Sequence, residues 1–217
     1  MNGIEKAVNV AEILYKLYSK IFEGPDKFNS EILLMHVIKY ENIYLESYPF
    51  KNDLCGMLLI EEEETTLVYN INQPRERRNF TIGHELGHFF LHKGKSDQFA
   101  DRSKNITDNA IEQFEMQANA FSAYLIMPEE VILYFLNDFL NFFQIKRKLN
   151  VSKEALYWRL VNLLINKYSF NNSRAQVIVE QFIKCSLDSI NNISHHKAAY
   201  IYYIISNKIH HSLVRIP

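Results

Sequence analysis

Cysteine is nearly missing from this sequence. Cys55 and Cys185 are the only two in 217 residues, and they lie 130 positions apart in no CxxC pair. That arrangement excludes a disulfide framework and a thiolate metal site, and it fits a reducing compartment. Glycine and proline are scarce too, 6 and 5 residues, which excludes collagen-like and low-complexity chains. Neither sign of charge prevails. With 24 Lys and Arg against 25 Asp and Glu there is no overall basic excess to neutralise phosphates, so nucleic-acid contact would have to be local. Long apolar runs are also absent: Val131 to Leu136 and Ala199 to Ile205 fall far short of the ~18 residues a membrane span needs. Glu5 stands where a signal peptide would carry its basic region, and no apolar stretch follows it. We therefore expect a cytoplasmic protein with no membrane partner. What the chain does have is apolar residues, 47%, of which many are aromatic, in a length suited to one domain plus a small appendage.

The periodicity organises that material. Ile4, Ala7, Val8, Ala11, Leu14, Tyr15 and Tyr18 share a helical face that ends before Gly24-Pro25. A second helix opens at Asn29 or Ser30 and carries Ile32, Leu33, Met35, His36 and Ile38, with His36 read as a packed histidine. From Ile43 to Asn72 the pattern shortens into two or three strands of a small antiparallel sheet, with Glu61 to Glu64 as a solvated turn. Arg75 to His92 reads as a helix and Lys93 to Asn105 as a polar loop. Asn109 with Glu112 makes a capping box for a helix reaching Met127. Pro128 opens another, packing Ile132, Phe135, Phe139 and Phe143, until Lys146-Arg147-Lys148 and Asn150 break it. Ser152 caps a further helix in which Trp158 packs, and the last stretch is helical by pattern.

His84-Glu85-Leu86-Gly87-His88 is an HExxH motif inside a predicted helix. Residues four apart share a face, so both imidazoles can meet one Zn²⁺, while Glu85, about 100° around, can reach a water beside it. A shuffled chain would produce the pattern roughly once or twice in a hundred trials, so the flanks matter. Phe80, Ile82, Leu86, Phe89, Phe90 and Leu91 bury the motif, and buried histidines need partners.

A zinc site of this kind needs a third protein ligand. His92 continues the series but stands ~12 Å from His84 along a straight helix, which suits a supporting or substrate-side role better than ligation. Glu115 is the better candidate, since Asn119 shares its face and can hold one ligand histidine by its second ring nitrogen. Glu112 competes, although its place in the first turn suits a cap. In a peptidase Glu85 would be the base, His92 or Tyr124 an oxyanion donor, and Thr66 to Ile71 an edge strand that pairs with extended substrate.

The blocks Arg77-Arg78-Asn79-Phe80-Thr81-Ile82-Gly83-His84-Glu85-Leu86-Gly87-His88 and Glu115-Met116-Gln117-Ala118-Asn119-Ala120-Phe121-Ser122-Ala123-Tyr124-Leu125-Ile126-Met127-Pro128 resemble the ImmA/IrrE family of metallopeptidases. Gly83 and Ser122 stand where that family usually has alanine. Val151 to Leu160 resembles the helix-turn-helix-like piece that commonly follows. The resemblance covers roughly residues 43 to 166 and implies an α+β, mainly helical, zincin-like peptidase domain over 1–130. A helix-turn-helix-like region over 131–166 and a C-terminal helical segment over 167–217 complete the expected layout. It further implies one Zn²⁺ per chain on His84, His88 and Glu115, Glu85 as base, and a helix-turn-helix repressor of a mobile element or stress pathway as the protein substrate. The alternative is a binding protein of the same fold that sequesters a repressor or toxin without cutting it. Lys146, Arg147, Lys148, Lys153 and Arg159 gather as a possible DNA contact, but Leu149, Val151, Ala155, Leu156, Leu160 and Leu163 favour a structural helix pair. The segment from Lys167 has six basic residues against two acidic and holds His195, His196, His210 and His211. It reads as a solvated helical face or as a docking or dimerisation element.

Overall fold

The computed structural model describes residues 2–51, 54–95, 98–102 and 109–190, so the four tail histidines and the rest of 191–217 lie outside the described residues. The chain divides into two compact units. One comprises Met1–Pro128 with Leu149–Val151; the other comprises Glu129–Lys148 and the residues from Ser152 onward.

In the first unit, α1 (Gly3–Tyr18) starts from a reciprocal cap. Asn2 Oδ1 accepts from the Glu5 amide at 2.8 Å, and the Glu5 carboxylate accepts from the Asn2 amide at 3.0 Å. Its inward face is Ala7, Ala11, Leu14, Tyr15 and Tyr18, at the spacing read from sequence, although Ile4 is exposed in the first turn. The next helix, α2 (Ser30–Tyr40), is capped by Asn29, whose Oδ1 accepts from the amides of Glu31 and Ile32. His36 is half-buried with its ring edge against Tyr18, as a packed histidine should be.

The sheet contains β1 (Ile43–Tyr48), β2 (Leu54–Ile60), β3 (Thr65–Asn70) and β4 (Gln98–Arg102) in the order β1-β3-β2-β4. Leu67 of β3 lies opposite Leu58 of β2 in an antiparallel hairpin closed by the Glu61–Glu64 turn, where the Glu61 amide donates to the Glu64 carbonyl at 2.8 Å. On its other side β3 runs parallel to β1, with Leu45 opposite Leu67. The sheet is therefore mixed rather than antiparallel throughout, because the chain leaves β1, passes the slot beside it and fills that slot only when the hairpin returns. This placement overturns the expectation that Thr66 to Ile71 forms an edge. β3 is central, and Thr65, Leu67, Val68 and Asn70 are all buried. The fourth strand arises in the stretch read as a polar loop. Backbone pairing to β2, with an irregularity between Leu54 and Gly56, defines it rather than any apolar alternation.

Two long helices, α3 (Arg75–His92) and α4 (Asn109–Ile126), complete this unit. The second unit holds α5 (Glu129–Asn137), α6 (Phe142–Leu149, shared at its end with the first unit), α7 (Lys153–Tyr168) and α8 (Asn172–Ile190). The expected break at Lys146 to Lys148 falls earlier. Phe139 takes a left-handed conformation (φ 56°) after α5, and the three basic residues form the last turn of α6, where positive charge suits the helix end. Asn150 (φ 52°) and the Ser152 cap then open α7. Around Phe142 the core closes on Phe182, and the Phe142 amide donates to Ser186 Oγ at 3.0 Å. One expectation fails on α7, that Trp158 packs. Trp158 is 45% exposed, whereas Arg159 is 1% exposed. Leu156, Arg159, Leu160 and Leu163 share the inward face at helical spacing, and Trp158 is turned away from it. The basic cluster is thereby divided. Among the described residues, no helix is long and apolar enough to cross a membrane.

Candidate metal centre

The site depends on how closely α3 and α4 approach. They run antiparallel: Gly83 faces Ser122, Gly87 faces Ala118, and His92 faces Phe114. A Cβ on Gly87 would lie 2.9 Å from Ala118 Cα and 3.2 Å from Ala118 O, closer than packed atoms allow. Small residues thus let the two backbones nearly touch, and short side chains can meet across the seam.

What meets there is the HExxH pair and Glu115. His84 Nε2 is 3.0 Å from His88 Nε2 and 3.0 Å from Glu115 Oε2, and His88 Nε2 is 3.2 Å from Glu115 Oε1. A tetrahedral zinc with ligands at about 2.0–2.1 Å separates neighbouring donors by roughly 3.3 Å, so the spacing suits such an ion. The chemistry suits it as well. Three groups whose lone pairs converge repel one another unless a cation or proton lies among them, and among the described residues these three form the one group arranged to hold a metal. Burial alone would raise the Glu115 carboxyl, but when protons rather than a cation lie among the three groups, hydrogen bonds and charge attraction from His84 and His88 outweigh it and hold the group at about 2.

Each histidine is gripped from behind. His84 Nδ1 lies 3.0 Å from Asn119 Oδ1, which accepts its proton and leaves Nε2 facing Glu115. His88 Nδ1 lies 3.0 Å from His92 Nδ1, and His92 Nε2 lies 3.3 Å from Gln117 Oε1. Burial lowers His92 to about 4, against the opposing pull of the Gln117 hydrogen bond, so it is neutral at ordinary pH.

The structure therefore groups His84, His88, Glu115 and Asn119, with His92 in contact with His88 from behind. His92 is fully buried behind His88 with both ring nitrogens engaged, which does not suit the expected oxyanion donor. Tyr124 is buried nine residues beyond Glu115 on the same helix, on the opposite face and about 13 Å along the axis. Glu112 is exposed in the first turn of α4. Glu85 is fully buried, packed against β2 at Gly56, where a Cβ would lie 3.0 Å from Glu85 Oε1 and 2.5 Å from Thr81 Cγ2. Sequence reasoning missed Gly56 and Gln117. Neither carries titratable chemistry, although the spacing of His88 and His92 already placed those two rings on one face.

A mainly helical α+β unit whose HExxH helix meets a glutamate from the next helix defines a class whose site is arranged to hold a metal. Within that class, the chain belongs to the peptidase M78 family, described by its IrrE N-terminal-like domain, whose model matches residues 37–161. This is the family that the two motif blocks resemble. The chain is similar to Uncharacterized immunity region protein 2 of Bacillus phage phi105, 28% identical over 98 residues, which cover 45% of this chain and 60% of that protein. It is also similar to Metallopeptidase ImmA of Bacillus subtilis (strain 168), 33% identical over 89 residues, 39% of this chain and 50% of that protein. The matched regions thus span between half and three fifths of these relatives.

Proposed function

We propose that this chain is a zinc-dependent endopeptidase that hydrolyses a peptide bond in a partner protein. The observation that carries the reading is the convergence of His84 Nε2, His88 Nε2 and the Glu115 carboxylate, with Glu85 one residue from a ligand on the same buried helix. His84, His88 and Glu115 would hold one Zn²⁺, which supplies Lewis acidity and an acidified water at neutral pH. Glu85 takes the proton from the attacking water and returns it to the leaving amine. Asn119 keeps the His84 proton on Nδ1, so that Nε2 stays a donor to the metal.

For the substrate, we propose a helix-turn-helix repressor of a mobile element or stress pathway, cut in the cytoplasm. The phage immunity-region relative and the metallopeptidase relative support this reading by their names alone. The test is co-expression with repressors from neighbouring reading frames. Glu85→Gln should abolish cleavage while zinc stays near one per chain, and Glu115→Ala should lose the zinc as well. Cleavage retained by Glu85→Gln would remove Glu85 as the base. A full regulatory effect without cleavage would favour sequestration.

A further inference from the structure

We infer that His92 and Gln117 are positioning residues that fix His88 for the metal, and that the first turn of α1 holds Gln117 in that role; the inference rests on the metal centre proposed above. Its starting point is the bookkeeping of protons. His88 faces Glu115 and His84 through Nε2, so a metal-binding His88 must carry its proton on Nδ1. His92 Nδ1 lies at hydrogen-bond distance from that Nδ1, 3.0 Å away. Two bare nitrogens would repel and two protonated ones would collide, so His88 donates and His92 accepts. The His92 proton then sits on Nε2, 3.3 Å from Gln117 Oε1, which accepts it. Each assignment leads to the next, from the metal-facing ring to the Gln117 amide.

The line ends outside the family-matched stretch. With Oε1 turned to His92, the Gln117 amide points its Nε2 at Gly3, where a Cβ would lie only 2.6 Å away. Glycine at position 3 leaves the amide room for the orientation His92 needs. The His92 ring is fully buried and lies 4.4 Å from the Phe114 ring, so packing also limits its rotation. Histidine ligands are commonly backed by a carboxylate, a carbonyl or water. Here His88 is backed by a neutral imidazole, and α1, which precedes residue 37 where the match begins, braces the last link.

The experiment measures zinc affinity of the full-length chain by chelator competition, alongside the melting temperature of the metal-free chain. His92→Phe keeps a flat ring against Phe114 but offers no acceptor, and zinc binding should weaken about ten- to a hundredfold. His92→Asn restores an acceptor at the place of Nδ1 and should recover most of that loss, a rescue that a purely structural role does not give. Gly3→Ala displaces only the mobile end of Gln117, so it should weaken zinc binding measurably while the metal-free melting temperature stays put. Cobalt substitution gives a second readout, an altered absorption band in His92→Phe restored in His92→Asn. Wild-type affinity in His92→Phe, or equal weakening in the Phe and Asn variants, would overturn the role of His92. Should His92→Phe fail to fold, Gln117→Leu serves in its place, and wild-type affinity there would break the outer link. A wild-type chain that binds no zinc would instead overturn the metal centre itself.

Discussion

A methyl group on Gly83 would lie 2.6 Å from the hydroxyl oxygen of Ser122, which donates to the Phe80 carbonyl at 2.8 Å. The pair occupies the α3–α4 seam one turn from the place where Gly87 meets Ala118, and it makes the two positions interdependent. Gly83→Ala alone should destabilise by about 1–3 kcal/mol through overpacking. Ser122→Ala alone should cost about 1 kcal/mol, the usual net worth of a buried hydrogen bond. The double variant should be more stable than the sum predicts, because removing Oγ clears the space and alanine gains about 1 kcal/mol over glycine within a helix. Chemical denaturation of the four proteins measures the coupling, and strict additivity would refute it.

Gly56 bears on chemistry rather than stability. An alanine there would push Thr81 and the Glu85 carboxylate away from β2. A displacement on the order of 1 Å can cost about a hundredfold in rate. Gly56→Ala should therefore lower cleavage strongly while zinc content remains near one per chain, since the atoms nearest the added methyl belong to Thr81, Glu85 and Val68 rather than to the three ligands. Loss of zinc together with activity would show instead that β2 supports the whole cluster.

Tyr168 gives the second unit an alkaline limit. Burial, reinforced by the nearby Glu129 charge, raises its phenol to about 12. In the unfolded chain it ionises near 10. The folded state therefore holds the proton more tightly, and its contribution to stability is complete below pH 10 and is lost as pH rises toward 12. Tyr168→Phe should flatten that decline, measurable as a smaller drop in melting temperature between pH 9 and 11. An unchanged slope would assign the alkaline loss to other groups.

The parts of this molecule that sequence revealed are those in which one residue type is tied to one task at a fixed spacing. His84 and His88 four apart, Glu115 and Asn119 four apart, and the polar caps at Asn29 and Ser152 all belong to that kind. Where the determinant is a contact between distant segments, local pattern is silent. β4 exists through backbone pairing with β2, and nothing in Gln98 to Arg102 announces it. The insertion of β3 between β1 and β2 is invisible to alternation, which specifies strands but not their order. Gln117, Gly56 and Gly3 act through where the fold brings them. Tyr124 is a different case: helix arithmetic alone places it on the far face of α4 from Glu115.

Among the described residues, the central place of β3 leaves β1 at the border of the sheet, with Tyr44 and Tyr48 exposed along it. Such a border is where two copies of a chain would join strand to strand and begin to aggregate. Glu46 stands exposed between the two tyrosines. An in-register copy would set its carboxylate beside another of the same charge, a repulsion that opposes strand-to-strand joining at this aromatic margin.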